Sequence, residues 1–376
     1  MSDESNRPSV SRRLQVNIIG GSAYSATGGI QAVNRLLVRE LGREGLLRKA
    51  YFLWDDEESA TAEGRELSAA GRVNFYGLNR RQFARALLGD AYLRPDDLWL
   101  CTHVNYAAIG LVTSRLRSRQ FAVMLHAAEL DEAFTTIKRH ALRHAGLVIA
   151  VSEFTKKKAI RLGVKTTRIR VLHNAVDDPL AGGAAPARTG AGSPTVLFVG
   201  RMDERYKGQM ELLDAMAILR SRLPDLHLTF VGGGRTLGEW KREAERRQLS
   251  GVVRFTGRIS DEEIARAYRD AMIFAMPSEN EGFGLVYAEA MAHGLPCIGS
   301  DRDAAREVIA HGETGWCVPA GNSVALADAI YSLARDPALR ERMGAAGRAR
   351  YLANFAIEHY RERLRALMDT WLAAAA

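Results

Sequence analysis

Cysteine is scarce in this chain, with three in 376 residues (Cys101, Cys297 and Cys317) and no C-x-x-C pair. That excludes a disulfide-stapled fold and leaves reduced, buried thiols as the expectation. No apolar run approaches the ~18 residues needed to span a bilayer, so a transmembrane helix is excluded. The first residues, MSDESNRPSVSRR, lack the apolar core of a signal peptide and read as a disordered leader (residues 1–12) of a cytoplasmic protein. There is no 20–50-residue repeat and no G-x-G-x-x-G, so neither a solenoid nor a dinucleotide fingerprint is claimed. Aromatic residues do not interleave with the basic clusters, which argues against nucleic acid as a partner.

What is abundant is positive charge. Lys and Arg number 52 against 44 Asp and Glu, a net charge of +8. Such a surface suits anionic partners. The clusters Arg80–Arg81–Arg85, Arg115–Arg117–Arg119, Lys138–Arg139 with Arg143, and Lys156–Lys157–Lys158 with Arg161 all fall in the first half. Any one of them can be a solvated helix face; together they point to an anionic membrane surface or a lipid-linked acceptor.

Short apolar runs alternate with helical periodicity along the whole length, the pattern of parallel α/β sheets. Leu14–Ile19 opens as a strand, followed by a polar loop and the pair Gly28–Gly29 at a helix entrance. Two further runs, Leu98–Cys101 and Phe121–Leu125, end in His103 and His126, placing both at strand carboxyl ends, where α/β folds bind ligands. The stretch Asp178–Pro194 is Ala/Gly/Pro-rich without periodicity and reads as a linker. Beyond it Thr195–Val199 starts a second α/β domain. Its strand ends in Gly200–Arg201, and six residues later Lys207–Gly208 opens a helix. Arg presents a planar fork to phosphate oxygens and Lys a point charge.

The densest signal is Pro277–Gly294, PSENEGFGLVYAEAMAHG. A buried strand passes through a polar turn into a helix. Gly282 and Gly284 leave the backbone bare at a helix N-terminus, where unpaired N–H groups favour an anion. Glu281 precedes that anion site and Glu289 lies about two helical turns further on. Carboxylates so placed suit hydroxyls on both sides of a phosphate linkage, the layout of a nucleotide sugar.

EGFGLVYAEAMAHGLP resembles the E-x7-E signature of retaining glycosyltransferases of family 4, the group 1 enzymes. The resemblance covers nearly all of the second domain and is weaker in the first. It implies the α/β GT-B fold: two doubly wound Rossmann-like domains facing a cleft, with the C-terminal helix crossing back to the first. The implied boundaries are 13–178 for an acceptor-binding domain, 179–194 for the linker, 195–354 for a nucleotide-sugar-binding domain and 355–376 for the returning helix. The resemblance also implies roles. Arg201 and Lys207 hold the donor diphosphate. Phe283, Gly284 and Leu285 offer backbone N–H groups to it. Glu281 grips sugar hydroxyls and Glu289 ribose hydroxyls. His126 approaches the donor sugar, with Gly28 and Gly29 at the sugar–phosphate side of the cleft, Asn174 in the closing motif VLHNAVD and Gly257 near the base; His103 is a further substrate-binding candidate from its strand-end position alone.

Three positions depart from the family pattern: Ala127 after the histidine, Ala175 in the closing motif, and Asp303–Ala304 in place of a Gly-Gly pair. The expected donor is a UDP-, GDP- or ADP-sugar and the acceptor a saccharide or a polyprenyl or other lipid-linked molecule. No cofactor and no metal is expected, because fixed cations neutralise the leaving group. Two other readings stay open: a nucleotide-sugar epimerase or phosphorylase on the same scaffold, and a non-catalytic nucleotide-sugar-binding subunit.

Overall fold

The computed structural model describes residues 14–93, 97–115, 120–131, 134–181 and 194–375. The expected leader, most of the expected linker, and Arg117 and Arg119 lie outside these residues. Two parallel sheets organise the chain. The first holds seven strands: β1 (Val16–Gly20), β2 (Leu47–Phe52), β3 (Val73–Phe75), β4 (Leu98–Cys101), β5 (Phe121–Leu125), β6 (Leu147–Ala150) and β7 (Ile169–Val171). Their order is β3-β2-β1-β4-β5-β6-β7. The second sheet holds β8 (Thr195–Val199), β9 (His227–Val231), β10 (Val253–Gly257), β11 (Ile273–Ala275), β12 (Cys297–Ser300) and β13 (Gly315–Val318). Their order is β10-β9-β8-β11-β12-β13. Both orders reverse direction beside the first strand of the sheet, the topological switch of a doubly wound fold.

The central strands are continuous apolar runs because helical crossovers leave them no wet face. β1, β4 and β5 are buried at every residue, whereas the edge strand β10 is buried only at Val253. β7 is the strand that the apolar pattern does not reveal. It has three residues, of which only Ile169 is buried.

By contact density the chain divides into two units. One comprises residues 14–124, 135–148 and 365–375; the other comprises Leu125–Phe134 and Ile149–Leu364. The last helix, Ile357–Ala375, is therefore shared between them. All three cysteines are free and buried.

Candidate functional site

In the second unit β8 ends at Gly200, and the loop that follows carries both expected cations. Lys207 is nearly enclosed. Its Nζ lies 3.0 Å from Glu281 Oε2 and 3.2 Å from Glu204 Oε2. Burial works against its charge, but Glu281 and Glu204 more than offset this and hold its pKa above the usual lysine range. Arg201 is more than half exposed and pairs with Glu204 Oε1. Burial raises the Glu204 carboxyl, and the two cations override it to bring the pKa below the ordinary value.

The turn between β11 and the helix Leu285–Ala292 is pinned along its length. Tyr287 donates its hydroxyl to the Met276 carbonyl, and Ser300 does the same to that of Ser278. The Glu279 N–H donates to Tyr206 O at 2.8 Å. Lys158, which also pairs with Asp131, reaches Asn280. Thr155 donates to Gly282 O at 3.3 Å. Gly284 caps the helix with φ 83°, a left-handed conformation that a side chain disfavours. A Cβ at Gly282 would overlap the carbonyl oxygen of His126, so the Glu281 turn and the His126 turn come together backbone against backbone, with the Ala127 methyl beside them. What remains presented is the Glu281 carboxylate and the helix tip. The N–H groups of Gly284, Leu285 and Val286 have no acceptor among the described residues.

Glu289 accepts a hydrogen bond of 2.7 Å from Tyr268, and burial raises its pKa. The Phe283 ring is not presented to a ligand. It packs against His173 and Phe355 at 5.8 and 5.6 Å between centroids, so only its backbone is available. Asn174 is likewise buried. Gly257 sits at the end of β10 with φ 71° and open space where a Cβ would stand.

The His126 N–H donates to Glu129 Oε1 at 2.6 Å, and the next residue, Ala127, holds φ 84°. A non-glycine residue there is strained, and such strain persists only where surroundings over-determine it. The turn is thus held by buried Glu129, which commits that carboxylate to the backbone.

In the first unit, Gly28 precedes the helix Gly29–Arg43. The loop before it is organised by Asp55, a fully buried carboxylate that accepts the N–H groups of Ala23, Tyr24 and Ser25 at 2.8, 2.9 and 3.1 Å and the Ser22 hydroxyl. His103 uses Nδ1 to accept the Asn105 N–H at 3.1 Å and so caps its own turn.

Asp55, Glu204 and Asp303 are the residues that motif reading missed. For Asp303 a signal existed, since it stands where a glycine was expected. Its carboxylate is buried and accepts from Ser278 Oγ, from the Glu281 N–H at 2.8 Å and from the Ala305 N–H at 2.9 Å. Burial pushes its pKa up to about 7 against the pull of these bonds. The native chain therefore keeps a proton that the unfolded chain releases near 3.8, and stability falls as pH rises from about 4 to about 7. Asp303→Asn is expected to remove that contribution, up to ~1.4 kcal/mol per pH unit. Denaturant midpoints across this range check it, and equal slopes for the two proteins would contradict it. Among the described residues no three His, Cys, Asp or Glu side chains converge as a metal-holding group.

Comparison with known proteins fits this geometry. Residues 186–350 match the family model for glycosyl transferases group 1, and residues 27–179 match that for glycosyltransferase family 4. A GDP-mannose-dependent alpha-(1-6)-phosphatidylinositol monomannoside mannosyltransferase of Mycolicibacterium smegmatis is 30% identical over 351 residues, 87% of this chain and 91% of that protein. A phosphatidyl-myo-inositol mannosyltransferase of Mycobacterium leprae is 45% identical over 157 residues, 41% of this chain and 40% of that protein. Among solved structures, sucrose-phosphate synthase from Thermosynechococcus elongatus superposes with a TM-score of 0.80 at 24% identity, covering 96% of this chain and all of that one. This last likeness shows the fold.

Proposed function

The chain belongs to the group 1 glycosyltransferases of family 4, and we propose that it moves mannose from GDP-mannose to an inositol phospholipid, retaining the anomeric configuration without a metal ion. The observation that carries this reading is Lys207, an enclosed cation between two carboxylates, beside a helix tip with unpaired N–H groups. Fixed positive charge there neutralises the leaving diphosphate as the sugar–phosphate bond breaks, the work a divalent cation does elsewhere. The names of the relatives support the sugar and the acceptor class.

In the proposed step the acceptor hydroxyl oxygen attacks the anomeric carbon from the face the diphosphate leaves. A phosphate oxygen takes the hydroxyl proton, so no protein nucleophile is needed. Glu129 is tied to the His126 N–H and Glu281 to Lys207, which leaves both better suited to holding than to attack. His126 orients the sugar and Glu289, set by Tyr268, holds the ribose.

No helix of the described residues is long and apolar enough to cross a membrane. The helix Arg80–Leu93 supplies a peripheral contact instead. Arg81, Arg85, Leu88 and Tyr92 fall on one exposed face, the cations toward one end and the apolar residues toward the other. Incubation with GDP-mannose, UDP-glucose or ADP-glucose and phosphatidylinositol vesicles tests the whole reading. A mannolipid with an α linkage by NMR, formed undiminished in EDTA, is the expected result. Transfer only from another donor, an inverted linkage, or loss of activity in EDTA overturns the corresponding part. Vesicle binding is expected to weaken steeply between low and high salt.

A further inference from the structure

Glu204 occupies both diphosphate-binding cations at once. One carboxylate oxygen pairs with Arg201 and the other lies 3.2 Å from Lys207 Nζ, so the carboxylate bridges them as two oxygens of a phosphate would. The anchorage of this residue is in its backbone, whose carbonyl accepts from buried Gln209 at 3.0 Å. The side chain itself is about one-fifth exposed and opens on solvent, as does Arg201. We propose that Glu204 is an internal stand-in for the donor diphosphate, a carboxylate that the incoming anion must displace from Arg201 and Lys207.

This rests on the diphosphate reading of the site and adds a competitor to it. With Glu204 and Glu281 both in place, the two cations are already balanced. A sugar diphosphate adds two further negative charges, and like charges sharing a site of low dielectric repel strongly. Glu281 is not the group that leaves in this reading, because its carboxylate grips the proposed sugar; its N–H and carbonyl bonds, to Asp303 and Ala304, fix the turn that presents it. Among the described residues the Glu204 carboxylate is held by the two cations that the ligand takes. In the empty enzyme it keeps Lys207 charged and stops the two cations from repelling each other. In the loaded enzyme it turns outward. The consequence is a reduced apparent affinity for the diphosphate portion alone, by the standing competition of an intramolecular anion.

Titration calorimetry of the whole chain and of Glu204→Gln, with GDP, inorganic pyrophosphate and guanosine, decides the matter. The neutral variant is expected to bind GDP and pyrophosphate about three- to tenfold more tightly, with guanosine affinity unchanged and a lower donor KM. Unchanged or weaker binding of both anions overturns the proposal and makes Glu204 an orienting group that stays in place. Glu204→Ala gives the same sign if the amide disturbs the loop. If neither protein binds pyrophosphate or GDP, the diphosphate reading falls together with its competitor; a wild-type chain that binds them and a variant that binds them no better sinks the competitor alone.

Discussion

Lys207→Ala is expected to lower kcat/KM for the donor by ~10²–10³ or more, the loss typical of removing one group that stabilises developing negative charge. The side chain is the most enclosed cation of the site, within 3.2 Å of two carboxylates. Its removal takes a positive charge from the leaving diphosphate and also leaves Glu281 without its cation, beside a Glu204 that keeps only Arg201. The second effect distinguishes it from Arg201→Ala. Arg201 is more exposed, so its loss is expected to cost activity on a similar scale with little change in thermal midpoint. Steady-state kinetics with far-UV circular dichroism and melting curves check both. Activity within tenfold of wild type in a folded Lys207→Ala protein would remove the fixed-cation mechanism.

Gly282→Ala is expected to destabilise the chain by about 1–3 kcal/mol, the usual cost of forcing atoms into a packed site, and to abolish most activity. The added methyl has no room, because it meets the backbone of His126 rather than a mobile side chain. Relief requires separation of the two turns, and either movement carries a functional group with it: the Glu281 carboxylate on one side, the His126 imidazole on the other. The Glu281 turn cannot yield cheaply, since bonds from Tyr287, Ser300, Thr155 and Lys158, and one from its own N–H to Asp303, hold it. The strained Ala127 turn is the weaker side, and His126 is the residue expected to shift. Denaturant unfolding measures the first effect and kcat the second. A variant with wild-type stability would mean that the close approach is not maintained in solution.

These residues also show what could be read from sequence and what could not. The parallel α/β pattern was legible because strands buried on both faces must be continuous apolar runs, as in Phe121–Leu125. The glycine-flanked helix tip at Gly284 was legible because its glycines answer to backbone geometry, which a sequence motif records directly. The carboxylates that arrange the site were not. Asp55 grips the loop of Ser22–Ser25 from thirty residues away, Glu129 binds the His126 N–H within its own turn, and Asp303 binds the Glu281 N–H from a neighbouring one. A buried acid at a strand end looks like any solvated loop acid until its donors are known. Phe283 shows a further limit: the motif does not say that its ring is core, packed on His173 and Phe355, so that any part it has in binding is left to its backbone. The departure at Asp303 was visible, but its meaning was not. The structure gives the position a task, since the carboxylate binds the N–H of Glu281 itself.

The most direct test is a crystal structure of the chain with GDP-mannose, or with GDP and mannose. The diphosphate is expected within hydrogen-bonding distance of Arg201, Lys207 Nζ and the N–H groups of Gly284 and Leu285, with the ribose on Glu289 and the sugar on Glu281. A diphosphate bound elsewhere, with Lys207 still enclosed by its two carboxylates, would contradict the assignment.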